Sequence, residues 1–127
     1  MQITKNFNLK EFACKDGTTV PDEFLDNVKE LAENLQVLRD HLGTSLHINS
    51  AYRTYAYNSQ IGGASKSQHL LAKAADIVSL KHTPLQIYTA IMHLIAEGKM
   101  KDGGVGLYNT FVHYDVRDKK ARWDFRK

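Results

Sequence analysis

An aspartate set inside an apolar run constrains this chain more than any other feature. Ala74-Ala75-Asp76-Ile77-Val78 has the composition of an interior strand, and a carboxylate buried there has to be paired or bound to a cation, because an isolated buried charge is too costly to keep. Seven residues earlier stands His69, within Ser67-Gln68-His69-Leu70-Leu71-Ala72-Lys73. Imidazole and carboxylate are both good Zn²⁺ ligands, and a catalytic zinc site typically takes three protein ligands and leaves a position for water. A third ligand is expected from Phe111-Val112-His113-Tyr114-Asp115-Val116-Arg117. In a strand His113 and Asp115 fall on one face, while Val112, Tyr114 and Val116 fall on the other.

These residues carry a resemblance. Ser67-x-His69-x-x-Ala72-x-Ala74-x-Asp76 resembles the SxHxxGxAxD signature of the M15 family of zinc D,D-carboxypeptidases and murein endopeptidases, and Val112-His113-Tyr114-Asp115 resembles its later histidine element in the subgroup with a short HxD. Ser50-Ala51-Tyr52-Arg53-Thr54, Phe12-Ala13-Cys14-Lys15-Asp16-Gly17 and Ala121-Arg122-Trp123 extend the likeness over nearly the whole chain. The resemblance implies one zinc ion on His69, Asp76 and His113, and a substrate drawn from peptidoglycan stem peptides or cross-links. It also implies that Arg53 faces the substrate, where a guanidinium suits a carboxylate.

Two departures stand out. Many M15 peptidases place an acidic residue three positions before the last zinc histidine, and that position here is Thr110. Asp115 is therefore the expected catalytic base, with Arg53 beside it in the reaction. The exchanged assignment, Asp115 on zinc and His113 as base, stays open. The second departure is Ala72 in place of the signature glycine, a difference of one methyl group. Ser67 and Gln68 are the expected hydrogen-bond partners of the ligand shell.

Length fits a single domain over residues 1–127, since 127 residues bury a core without disulfides or structural metal. The 17 Lys and Arg exceed the 14 Asp and Glu by only three and are dispersed rather than clustered, which argues against a nucleic-acid-binding domain. Cys14 is the sole cysteine, so an internal disulfide and a multi-cysteine zinc knuckle are excluded and a small buried side chain is expected. Gly103-Gly104-Val105-Gly106 lacks the lysine of a phosphate loop and leads into a strand. Neither a serine elbow nor a Cys/His pair is present. The N-terminus has no apolar core of a signal peptide, and no segment is apolar enough to span a bilayer. A chain made in the cytoplasm and acting on the cell wall, as phage lysis (endolysin-like) or tail enzymes do, is expected to work as a monomer.

Residues 4–20 read as an irregular arm. Phe24, Leu25, Val28, Leu31, Leu35, Leu38 and Leu42 keep helical spacing over about 22–42, between Pro21 and Gly43. A strand over 46–51, a short helix over 55–61 and a turn carrying His69 follow. Thr83-Pro84-Leu85-Gln86 is a capping box that opens a helix to about Glu97. Gly104–Tyr108 and Phe111–Val116 form a hairpin about Asn109-Thr110, with a further strand at 122–125. His41, His47, His82 and His93 are expected to be surface or structural histidines. The expected fold is α+β, a small antiparallel sheet flanked by helices with a hedgehog/D,D-peptidase-like zinc site. The alternative function is a zinc-stabilised, catalytically inactive cell-wall-binding module.

Overall fold

Alternation and capping signals in the sequence translate into a five-stranded sheet with the two long helices packed on its apolar face and a short third helix beside its polar one. The computed structural model describes all 127 residues. Helix α1, Leu25–Leu42, buries Val28, Leu31, Ala32, Leu35 and Leu38, and ends on Gly43 in the left-handed conformation (φ 69°), where a side chain would be strained. Its first expected turn is instead a separate 3₁₀ turn, Asp22–Phe24, behind Pro21. Strand β1, His47–Ser50, leads to the short helix α2, Tyr55–Gln60, capped by the Thr54 hydroxyl. A 3₁₀ turn over Gln68–Leu71 carries His69 into strand β2, Ala74–Val78. The capping box at Thr83 and Gln86 opens α3, Pro84–Ala96. Strands β3, Gly104–Leu107, and β4, Val112–Asp115, form the hairpin, and β5, Ala121–Asp124, follows.

The α+β class therefore holds, with one difference inside the sheet. Strand order is β1-β2-β4-β3-β5, and every pair is antiparallel except β3 with β5, which is parallel. The reason is topological. Strand β4 turns back from β3 onto β2, so the loop after β4 must cross to the far edge of β3, and β5 then runs in β3's direction. The arm at the start is also less irregular than its sequence: a 3₁₀ turn over Leu9–Phe12 has a full capping box on Asn8 and Glu11, and sinks Phe7 and Phe12 into the core.

Sheet register divides the side chains. Ile48, Ile77, Val112 and Leu107 align in one cross-strand row, with Ala75, Tyr114 and Val105 in another. All seven are buried in the single cluster that joins the sheet to the helices. The opposite face carries Asp76, His113, Gly106 and Trp123 in one row and Ala74, Asp115, Gly104 and Ala121 in the next. The core thus stays apolar, and polar chemistry is confined to the other face. Cys14 is buried and free, His41, His47 and His93 are exposed, and His82 is half-buried.

Candidate metal centre

Register alone brings the first two candidates together, because Asp76 on β2 and His113 on β4 are directly paired residues of neighbouring strands. The third, His69, arrives from outside the sheet. The Ser67 hydroxyl accepts from the His69 backbone N–H at 3.1 Å and fixes the start of the 3₁₀ turn. Ala72 ends that turn in the left-handed conformation (φ 57°), the only residue other than glycine with positive φ. The signature's glycine thus answers a backbone requirement, and the Ala72 methyl carries a cost of roughly 1 kcal/mol there.

The three side chains converge on one point. His69 Nε2 lies 3.3 Å from Asp76 Oδ1, and His113 Nδ1 lies 3.1 Å from the same oxygen. All three residues are buried, and one donor atom from each lies within 4.8 Å of the others. Each also has a partner on its outer side. His69 Nδ1 donates to the Ala51 carbonyl at 2.6 Å, Asp76 Oδ2 accepts from Arg53 Nη2 at 3.2 Å, and His113 Nε2 donates to Asp115 Oδ2 at 2.6 Å. Carbonyl and carboxylate oxygens only accept, so each ring's proton sits on its outer nitrogen. Both inner nitrogens then present lone pairs to a carboxylate oxygen, an arrangement that is repulsive unless a cation enters between them.

Titration of the metal-free groups reflects this. Burial alone would raise the Asp76 carboxyl, but the facing His113 and His69 rings, which favour its charged form whenever they carry a proton towards it, outweigh burial and hold the group well below the usual carboxylate range. Burial disfavours charge on His113, yet the carboxylates of Asp115 and Asp76 on its two sides push its pKa above the ordinary value. Those two carboxylates therefore favour a proton on the His113 ring when no metal is bound. The donor set itself, two imidazoles and a carboxylate with their tautomers fixed from outside, suits Zn²⁺.

Asp115 stands one layer behind the cluster. Its side chain has no exposure, and beyond His113 it accepts from the Gly104 N–H at 3.0 Å and from Arg117 Nε and Nη2 at 2.8 and 2.7 Å. Burial is again outweighed, here by His113 and Arg117, so its carboxyl sits below the usual range. Arg53 has every nitrogen engaged: Nε with Ser50, Nη1 with Asn58 and Nη2 with Asp76. Asn58 passes the link on by donating to the Ala64 carbonyl at 2.9 Å. Neither Ser67 nor Gln68 supplies an acceptor to a ligand ring; for His69 the backbone of Ala51 does so.

The cluster opens into a cleft of about 540 Å³. One wall is the loop with Gly62, Gly63 and Lys66, and the other is aromatic. Tyr108 stacks on Phe111 with centroids 4.2 Å apart, Phe125 meets Tyr108 edge-on, and Trp123 stands 5.0 Å from the His113 ring while donating to the Tyr108 hydroxyl. Glycines make this wall. A Cβ on Gly106 would overlap the Trp123 indole, and one on Gly104 would overlap the Asp115 carboxylate. Thr110 lies in the exposed β3–β4 turn, outside the cleft.

A family model described as Peptidase M15 matches residues 4–115, a span that covers most of the chain and all three converging donors. The chain belongs to the peptidase M15 family. Comparison with curated proteins finds no match. Membership makes this a metallopeptidase fold with a peptide substrate, in a family whose peptidases are zinc-dependent, and the buried trio is able to hold a metal ion. Strand β5 and Arg117, which form much of the cleft's second wall, lie beyond the matched residues of this M15 chain. No helix is long and apolar enough to cross a membrane.

Sequence reasoning missed Arg117, Trp123 and Asn58 as parts of the site. The first was within reach: His113, Asp115 and Arg117 alternate at i, i+2 and i+4 and share a strand face. Trp123 required knowing that β5 lies beside Gly106. Asn58 became legible only once the loop from Gly62 folded back over α2.

Proposed function

We propose that this M15 chain is a zinc peptidase that hydrolyses peptide bonds in peptidoglycan stem peptides or cross-links at the cell wall, acting as a monomer. Zinc would be held by His69 Nε2, Asp76 Oδ1 and His113 Nδ1. The observation that carries the reading is the outer partnering of all three donors by Ala51, Arg53 and Asp115, which aims three electron pairs at one point. The ion would supply Lewis acidity, polarising the scissile carbonyl and acidifying water.

The chain's own residues then have distinct tasks. Asp115 holds the His113 tautomer and Arg53 holds the Asp76 carboxylate, so both act by orienting ligands. Arg53 thereby takes a different part from the substrate clamp that its sequence position implies. The aromatic wall and the Gly62–Gly63 loop bound an extended peptide between them.

A second reading has a specific observation behind it. Asp76 is the only acidic residue lining the cleft, and the Asp115 oxygens are occupied, so no unengaged carboxylate is at hand to take a proton from water. On that reading the chain is a zinc-stabilised wall-binding module without turnover. Incubating zinc-loaded protein with purified sacculi, and following release of amino groups and fragment masses, separates the two. The peptidase reading expects new amino groups that disappear in His69→Ala and fragments that identify the bond. Binding to sacculi without release would establish the module.

A further inference from the structure

The cleft needs a group to hold the charged end of its substrate, and Arg53 has its positive charge set against the Asp76 carboxylate and a partner within the chain on each nitrogen. Two other cations line it, Lys66 and Arg117. Lys66 is exposed on the loop and has no partner in the chain. Arg117 differs in being built in. Its Nε and Nη2 form a two-point pair with the fully buried Asp115, its guanidinium carbon lies 5.4 Å from the centre of the Trp123 ring, and its backbone N–H also donates to Asp115 at 3.1 Å. Nη1 alone has no partner in the chain, and no buried side-chain nitrogen is left unsatisfied. That nitrogen therefore faces solvent, on a side chain that lines the cleft beside His113.

We propose that Arg117 is the carboxylate-binding residue of the cleft, receiving a free carboxylate of the bound peptide on Nη1. The inference rests on the peptidase reading and names a feature of its substrate: a carboxylate placed on the Trp123 side of the cleft. A guanidinium fixed on one edge by Asp115 and packed over an indole loses little side-chain freedom when its other edge is used, which is where preorganisation yields affinity. Lys66 would have to be ordered first. Hydrogen bonds to charged groups are strong enough for a substantial preference, and the partial exposure of Arg117 reduces it to about tenfold between a carboxylate and its amide.

Trp123 is the only tryptophan in the sequence, so indole fluorescence reports binding beside Arg117 without requiring turnover. Zinc-loaded protein would be titrated by rapid mixing with the stem pentapeptide L-Ala-γ-D-Glu-L-Lys-D-Ala-D-Ala and with the same peptide bearing both carboxylates as carboxamides. Wild type should favour the acid about tenfold. Arg117→Gln should bind the two forms equally, Arg117→Lys should keep part of the preference, and Lys66→Ala should leave it unchanged. Zinc content of each variant separates a lost carboxylate contact from a disturbed metal site, and Arg117→Lys retains a charge against Asp115. The proposal is overturned if wild type shows no preference, if the preference survives in Arg117→Gln, or if Lys66→Ala abolishes it. Hydrolysis is read separately: equal cleavage of acid and amide peptides sinks the role of Arg117 alone, whereas a clear binding preference with no amino groups released from either the pentapeptide or purified sacculi sinks the peptidase reading alone.

Discussion

Replacing Asp115 with asparagine keeps the shape of the side chain and removes its charge. The native oxygens accept five hydrogen bonds, from His113 Nε2, the Gly104 and Arg117 backbones, and two nitrogens of the Arg117 guanidinium. An amide offers one oxygen and one NH₂. Whichever way it turns, a donor faces either His113 Nε2–H or the guanidinium. Removing one partner of a buried ion pair costs about 3–5 kcal/mol. Arg117 retains 29% of its side-chain exposure, so about 2–3 kcal/mol is expected here. For a domain of this length that is a fall in Tm of roughly 6–12 °C for the metal-free protein. Loss of a ligand's outer partner typically weakens metal binding by about 10–100-fold. Competition with a chromophoric chelator measures the second quantity and thermal unfolding the first. The expected result is weaker zinc binding at unchanged stoichiometry, together with the lower Tm. Complete loss of stoichiometric zinc would make Asp115 a ligand. Unchanged affinity and Tm with hydrolysis abolished would make it the base, and either result refutes the orienting role.

Three further outcomes follow from the same geometry. Gly104→Ala puts a Cβ against the Asp115 carboxylate and 2.7 Å from Arg117 Nε; overpacking of about 1–3 kcal/mol should appear in urea unfolding, with weaker zinc binding. Arg53→Lys loses the fork that spans Ser50, Asn58 and Asp76, so zinc affinity should fall roughly tenfold in the chelator assay, while discrimination between acid and amide peptides persists. Stability of the metal-free protein should peak at mildly acidic pH, as read by denaturant midpoints. Asp76 and Asp115 have folded pKa values below their unfolded ones, so their contribution is present above about pH 4 and lost as pH falls. His113 is raised, so its contribution is full below about pH 6.5 and lost as pH rises through the folded value. Zinc should abolish the alkaline loss, because it takes the place of the His113 proton.

Much of this was legible before any coordinates. The α1 periodicity between Pro21 and Gly43, the capping box at Thr83 and the alternation of β4 are local signals, and each element formed where its own residues favour it. His69 and Asp76 stood out because an aspartate has no other reason to sit among Ala74, Ala75 and Ile77. What the sequence withheld depends on neighbours. The parallel pairing of β5 follows from which edge of β3 was free, and no pattern within Ala121–Asp124 encodes it. Gly104 and Gly106 looked like a failed phosphate loop, whereas their absent side chains make room for Asp115 and Trp123. Arg53 was expected to face the substrate because an arginine stands at this place in the resembling enzymes; only the positions of Ser50, Asn58 and Asp76 reveal that each of its nitrogens also has a partner within the chain. The Ala51 carbonyl, which fixes the His69 tautomer, is backbone and leaves no trace in residue identity.

The claim on which the rest depends is that His69, Asp76 and His113 are the metal ligands. Anomalous diffraction at the zinc edge, from crystals grown with zinc, tests it most directly. A single strong peak is expected at about 2.0–2.2 Å from His69 Nε2, Asp76 Oδ1 and His113 Nδ1, with Asp115 still bonded to His113 Nε2. A peak bound by Asp115, or no peak among the three, would contradict it.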